Sequence, residues 1–200
     1  MTIDQKTYLF DIGNVLLAFD FTPALSSLLG PKASPTALAQ IIARKDEFEA
    51  GKVEPTPYIA WASELLDFSG SEADFRTIWS NIFTPIPQTW ELAKKLKADG
   101  HRLILYSNTN VIHAPFCLET YDIFEVFDHA VFSHEIGAIK PYTEFFQRSF
   151  EKFNIDPAQT YYIDDMPENI EAGREHGLNS FLYTADNHNE LLAWVSTHRK

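Results

Sequence analysis

An α/β fold is what this sequence predicts: a parallel sheet with helices on both faces and a helical insertion near its start. Three observations predict it. Short apolar runs recur along the chain and each stops at polar residues, helical patterns fill the spaces between them, and one of those spaces is far too long. The chain has 200 residues, 45% hydrophobic and 14% aromatic, which suffices for a real core and excludes a disordered or collagen-like chain.

Thr7-Tyr8-Leu9-Phe10 is the first β-favouring run, and it stops at Asp11 before the turn formers Gly13 and Asn14. Arg102-Leu103-Ile104-Leu105-Tyr106 stops at Ser107-Asn108-Thr109-Asn110. Ala130-Val131-Phe132 ends at Ser133, Thr160-Tyr161-Tyr162-Ile163 at Asp164-Asp165, and Ser180-Phe181-Leu182-Tyr183 before Thr184-Ala185-Asp186. Five strands are therefore expected. They read as continuous apolar runs, as strands of a sheet buried on both faces do. Leu92, Ala93 and Leu96 form one helical stripe, and Phe146, Phe150 and Phe153 another. Gly100 and Gly177 stand where helices stop, and Pro167 stands where one begins.

A βαβ unit takes roughly 30 residues, yet the first strand ends at Asp11 and the second begins near Arg102, so roughly sixty to seventy residues are surplus. That surplus, Leu17 to Phe83, has helical spacing in Leu38, Ile41, Ile42 and Lys45, and again through Tyr58, Ile59, Trp61, Ala62, Leu65 and Leu66. It holds no convincing strand run. A helical insertion directly over the polar tip of the first strand is expected, with Phe48, Tyr58, Trp61 and Trp79 as candidate liners that serve equally well as helix core.

Composition bounds the function classes. Sixteen basic against 28 acidic residues leave a net charge of −12, which counts against a nucleic-acid-binding surface, since phosphate backbones demand clustered Lys and Arg. No run approaches the roughly 18 apolar residues of a membrane span, and Met1-Thr2-Ile3-Asp4-Gln5-Lys6 lacks the pattern of an export signal. The single cysteine, Cys117, can form no internal disulfide and reads as a buried, inert thiol, so a cytoplasmic location is expected.

In open α/β sheets, ligands bind beyond the carboxyl ends of the strands. There stand Asp11, Ser107 and the pair Asp164-Asp165, with Lys140 after the third strand. Converging carboxylates repel one another unless a cation lies among them, and an oxygen-rich set suits a hard ion such as Mg²⁺. A carboxylate can attack phosphorus once the phosphoryl oxygens are neutralised, which Mg²⁺, Lys140 and the Ser107 hydroxyl would share. The pattern points to phosphoryl transfer.

These residues resemble the four motifs of the haloacid dehalogenase-like hydrolase superfamily: Phe10-Asp11-Ile12-Gly13-Asn14-Val15-Leu16, then Leu105-Tyr106-Ser107-Asn108, then Lys140-Pro141, then Tyr162-Ile163-Asp164-Asp165-Met166-Pro167-Glu168-Asn169. The resemblance implies a Rossmann-like core over 1–16 and 84–200 and a helical cap over 17–83. It implies Asp11 as nucleophile and Lys140 as its neutralising partner. Ser107, Asn108 and Asn14 would hold the phosphate. Asp11, the Gly13 carbonyl and Asp165 would ligate Mg²⁺ directly, and Asp164 through water.

One position departs from that pattern. Phosphatases of the superfamily usually carry a second aspartate two residues after the nucleophile, as the general acid, a role typically worth about 10²–10⁴-fold. Here it is Gly13. His113, Asp20 and His134 are candidate replacements, with His113 placed first. Alternatively the leaving group needs little protonation, as with a sugar 1-phosphate, or the chemistry has been lost.

Asp11-Ile12-Gly13-Asn14-Val15 and Ser107-Asn108-Thr109-Asn110 followed by His113 are similar to bacterial α-D-glucose-1-phosphate phosphatase-like members, as is the acidic-Gly turn Glu49-Ala50-Gly51. The expectation is thus a Mg²⁺-dependent phosphatase of small phosphorylated metabolites, sugar phosphates first, acting as monomer or homodimer. A catalytically weakened phospholigand-binding protein and a metal-independent haloacid dehalogenase are the competing readings.

Overall fold

Thr7-Tyr8-Leu9-Phe10 forms strand β1 (Thr7–Phe10) because its alternate side chains find cover on both sides: Tyr8 and Phe10 enter one core cluster and Leu9 the other. In the computed structural model, which describes residues 5–197, the chain continues through β2 (Leu17–Phe19) and helices α1 (Thr22–Leu28), α2 (Ala37–Glu49), α3 (Pro55–Leu66) and α4 (Glu72–Ser80). It then forms β3 (Phe83–Pro85), α5 (Pro87–Ala98), β4 (Arg102–Ser107), α6 (His113–Thr120), β5 (His129–Phe132), α7 (Ser133–Ile136), α8 (Thr143–Phe153), β6 (Thr160–Asp164), α9 (Pro167–Glu175), β7 (Asn179–Leu182) and α10 (His188–Thr197). Residues 1–4, part of the stretch expected to lack an export signal, lie outside the described residues.

β1, β4, β5, β6 and β7 are the five expected strands, each within one residue of its predicted limits. They form one parallel sheet in the order β5-β4-β1-β6-β7. β1 is central, with Phe10 opposite Leu105 of β4 and Ile163 of β6. This register brings Asp11, Ser107 and Asp164 to one edge, although about 150 residues separate the first from the last. Leu92, Ala93 and Leu96 cover one face, and Phe145 and Phe146 the other. Each large side chain so buried contributes about 1.5–3 kcal/mol. Gly100 and Gly177 take positive φ just past their helices, and Pro167 is the first residue of α9. Cys117 is buried, and burial pushes its thiol up to about 12, so it stays protonated.

The surplus length holds α1 to α4 around their own cluster of Leu28, Ile41, Phe48, Tyr58, Ile59, Leu66, Phe75 and Trp79. The expectation of no strand there was incomplete. β2 and β3 pair antiparallel, Leu17 with Pro85 and Phe19 with Phe83, where the chain leaves the sheet and returns. A three-residue strand is too short to show periodicity. In α2 the apolar stripe also splits: Ile41 is 3% exposed, whereas Leu38 and Ile42 are 47% and 57% exposed. No described helix is long and apolar enough to cross a membrane.

Candidate active site

Lys140 is the hub, at 2% exposure. Its Nζ donates to the Tyr106 carbonyl at 2.7 Å and to Asp164 Oδ2 at 2.5 Å, and it lies 3.3 Å from Asp11 Oδ1. Burial would lower the lysine's pKa, but the Asp11 and Asp164 carboxylates outweigh that and raise it, so the ammonium stays charged. Asn108 clips the loop in place by accepting from the Lys140 amide at 2.8 Å and donating to its carbonyl at 2.9 Å.

Asp164 is wholly buried and its acceptor capacity is taken up. Oδ2 accepts from Lys140 and the Tyr162 hydroxyl, and Oδ1 from the Met166 amide at 2.9 Å and Asn169 Nδ2 at 3.0 Å. Its ties are to the lysine and the start of α9. Asp165 is oriented by Asn14, whose Nδ2 donates to Oδ2 at 2.9 Å. Asn14 sits at φ 51°, a left-handed conformation that asparagine tolerates better than most residues. Both amide side chains are thus committed to positioning, Asn14 to Asp165 and Asn108 to the Lys140 backbone, which sets a second task beside the phosphate role expected of Asn14 and leaves the backbone-amide role expected of Asn108 untouched. Neither commitment could be read locally, since the partners lie 151 and 32 residues away.

Asp11 is different. Its Oδ1 is buried and accepts no aligned hydrogen bond. Burial raises its carboxyl to about 7; Asp164 and Asp165 push the same way, while Lys140 and the Ser107 hydroxyl pull down. Burial also raises Asp165. Ligand atoms of Asp11, Asp164 and Asp165 all lie within 4.8 Å of one another. Three carboxylates face one ammonium, and a buried carboxylate oxygen without a donor is costly. A hard divalent cation fits both observations.

The geometry counts against His113 as the missing acid. Its Nε2 lies 3.0 Å from the Trp79 carbonyl, which can only accept, so Nε2 carries the proton and Nδ1 accepts from Asn110 Nδ2 at 3.1 Å. Burial lowers its pKa to about 4, which leaves the ring neutral with both nitrogens engaged. Asp20 accepts from the Thr22 amide at 2.8 Å, and Thr22 holds its carboxyl below the usual range. His134 bonds the Thr109 carbonyl and does not line the cavity.

At Gly13 the backbone is not left-handed, so a side chain is conformationally possible. A Cβ there would lie 4.0 Å from Asp11 Oδ2 but only 3.0 Å from Cε1 of Phe19, whose ring occupies that space.

A cavity of about 700 Å³ opens over these groups, lined by Asp11, Gly13, Asn108, Lys140 and Asp165 below and by residues of α1, α2, α3 and α4 above. Phe48, Tyr58 and Trp79 line it as well as filling the helical core; Trp61 does not, and it carries Arg44 on its ring instead. Glu49, in the acidic-Gly turn, is a wall residue paired with Lys45 at 3.0 Å, and burial raises its carboxyl. A smaller hollow of about 300 Å³ at the opposite end of the sheet, around His101 and Asp128, has none of the motif residues.

The profile of haloacid dehalogenase-like hydrolases matches residues 5–177. The chain belongs to that hydrolase family. It is 27% identical over 177 residues to the sesquiterpene phosphatase astK of Aspergillus oryzae, covering 86% of this chain and 87% of that protein. It is 23% identical over 192 residues to a D-ribitol-5-phosphate phosphatase of Bacteroides thetaiotaomicron, covering 88% and 90%. Among solved structures, a haloacid dehalogenase-family enzyme of Bacteroides thetaiotaomicron superposes with TM-score 0.80 at 21% identity, covering 94% of this chain and 98% of that one. The same enzyme has been solved with magnesium and inorganic phosphate, at TM-score 0.78.

Proposed function

We propose that this family member is a Mg²⁺-dependent phosphatase of small phosphorylated metabolites that works through an aspartyl-phosphate on Asp11, with residues 17–83 as a cap over a core of 1–16 and 84–200. The observation that carries the reading is the buried Asp11 oxygen, which accepts no aligned hydrogen bond and is set among Lys140, Asp164 and Asp165. Asp11, Asp165 and the Gly13 carbonyl would hold the ion, with Asp164 behind them. Bound there, Mg²⁺ supplies positive charge to the phosphoryl oxygens.

Asp11 attacks phosphorus with a carboxylate oxygen, and the ester P–O bond breaks. Lys140 pulls the Asp11 carboxyl toward its ionised form, a bound cation would pull the same way, and the Ser107 hydroxyl and the Asn108 backbone amide would face the phosphoryl oxygens. Water then attacks the phosphorus of the aspartyl-phosphate, freeing inorganic phosphate and Asp11. Overall one water is split, its hydroxyl going to phosphorus and its proton to the alcohol oxygen. With Gly13 bare and His113 neutral and engaged, that oxygen draws its proton from solvent.

The two curated relatives, one named for a terpenoid and one for a polyol phosphate, support phosphomonoester hydrolysis without agreeing on the alcohol. Motif resemblance alone favours a sugar phosphate such as a hexose 1-phosphate. Metal-free dehalogenation has no use for the paired acids of the fourth motif. A cytoplasmic location, which the lone buried thiol supports, and a monomeric or homodimeric state complete the reading. The test is phosphate release from acetyl phosphate and a panel of phosphomonoesters with Mg²⁺ and with EDTA. Turnover should need the metal, and Asp11→Asn should abolish it, a loss on the order of 10⁴-fold or more. Tight Mg²⁺-dependent binding of a phosphosugar without turnover would instead leave a binding protein.

A further inference from the structure

Nine large hydrophobic side chains stand exposed among the described residues, and five of them, Phe19, Leu38, Ile42, Tyr142 and Met166, line the one cavity above Asp11. Exposed apolar groups scattered singly need no explanation; a concave cluster of them marks a binding surface. Leu38 and Ile42 are four residues apart and share a face of α2, where an exposed helix face normally carries polar residues.

Phe19 brings the same chemistry to the nucleophile. Its ring fills the space beside Gly13, meets Phe21 edge-on at 5.9 Å, and Phe21 in turn lies 5.1 Å from Trp79. An aromatic wall thus runs outward from the position where the second aspartate of the family would stand. Several polar groups on this side already have partners: Lys45 pairs with Asp46 at 3.2 Å and Glu49 at 3.0 Å, Asp20 accepts from Thr22, and both nitrogens of His113 are engaged. A polyol laid against Phe19, Leu38 and Ile42 would turn hydroxyls toward side chains that cannot bond them, whereas a hydrocarbon there covers apolar surface that otherwise meets water.

We propose that the phosphomonoester taken by this site has an apolar alcohol, a bulky hydrocarbon-rich group lying against Phe19, Leu38 and Ile42, and not a sugar or polyol. The proposal rests on the phosphatase reading and sharpens its substrate class.

The test measures kcat/KM with Mg²⁺ for octyl phosphate below its micellar range, glucose 1-phosphate and ribitol 5-phosphate, with acetyl phosphate reporting the chemistry independently of the wall. Octyl phosphate should exceed both polyol esters by about tenfold or more. In Leu38→Asp/Ile42→Asp, two exposed positions whose change spares the core, the octyl-to-acetyl ratio of kcat/KM should fall by about tenfold. Acetyl phosphate turnover with equal or better use of the polyol esters overturns the apolar assignment and leaves the phosphatase. An unchanged ratio in the double variant also overturns it. No hydrolysis of any ester or of acetyl phosphate overturns both.

Discussion

The sheet edge and the helices above it face the same cavity with opposite chemistry. At the edge, nearly every polar atom is bound to another: Asp164 accepts four hydrogen bonds, Asn108 holds the Lys140 backbone twice, and Asn14 holds Asp165. Asp11 Oδ1, buried there, accepts no aligned hydrogen bond and has only the Lys140 ammonium 3.3 Å away among the described residues. On the helical side, Leu38 and Ile42 stand bare and the wall is mostly hydrocarbon and aromatic. The difference teaches a division of labour. A charged site works when its groups are held rigidly by second partners, whereas a wall that selects by shape and polarity needs little hydrogen bonding.

The largest way to break this contrast is at the contact between the two regions. Gly13→Asp combined with Phe19→Ala restores a carboxyl beside the nucleophile and clears the ring that occupies its space. For an ester with a poor leaving group, kcat should rise by about 10²-fold or more, the lower end of what general acid catalysis is worth. Gly13→Asp alone should do less to the extent that the Phe19 ring, whose Cε1 would lie 3.0 Å from the new Cβ, does not give way. Equal rates in the single and double variants would show that the ring does not control the position.

His113 joins the regions through Asn110 on one side and the Trp79 carbonyl at the end of α4 on the other. Folded, the ring stays neutral down to about pH 4; unfolded, it binds a proton near its ordinary 6.5. Acid therefore favours the unfolded chain. The stability carried by this difference is whole above pH 6.5 and is lost as pH falls toward 4, on the order of 3 kcal/mol. Urea unfolding of His113→Gln should show a correspondingly shallower loss over that window than the parent chain. Parallel curves would separate the histidine from the acid sensitivity.

Smaller still is the effect of Asn14→Ala, which removes the donor to Asp165. Loss of such an outer partner typically weakens metal affinity by about 10–100-fold. The Mg²⁺ concentration for half-maximal activity should rise by that factor, with kcat at saturating Mg²⁺ nearly kept. A fall in kcat alone would return Asn14 to the phosphate role its place in the motif suggested.

Much of this arrangement was legible before folding was considered. Asp11, Ser107, Asp164 and Asp165 each end an apolar run, and an apolar run of four to six residues has few ways to be buried other than as an inner strand. The insertion was legible as surplus length. The β2–β3 ribbon was not, because three residues carry no period, and neither was the split face of α2. A helical stripe records which side chains are apolar, not whether core or cavity receives them.

The sequence by itself determined the α/β class, the strand tips that carry charge, the place of the helical insertion and the absence of a carboxyl at position 13. These are local properties of pattern, length and residue type. Tertiary structure alone decided that β1 lies between β4 and β6, that Asn14 and Asn108 brace charged neighbours, that His113 is a neutral tie to Trp79, and that Phe19 fills the space beside Gly13. Each depends on which distant segments the sheet order and the ribbon bring together, and hydrogen bonds and ring contacts form only between groups already held within a few ångströms of each other.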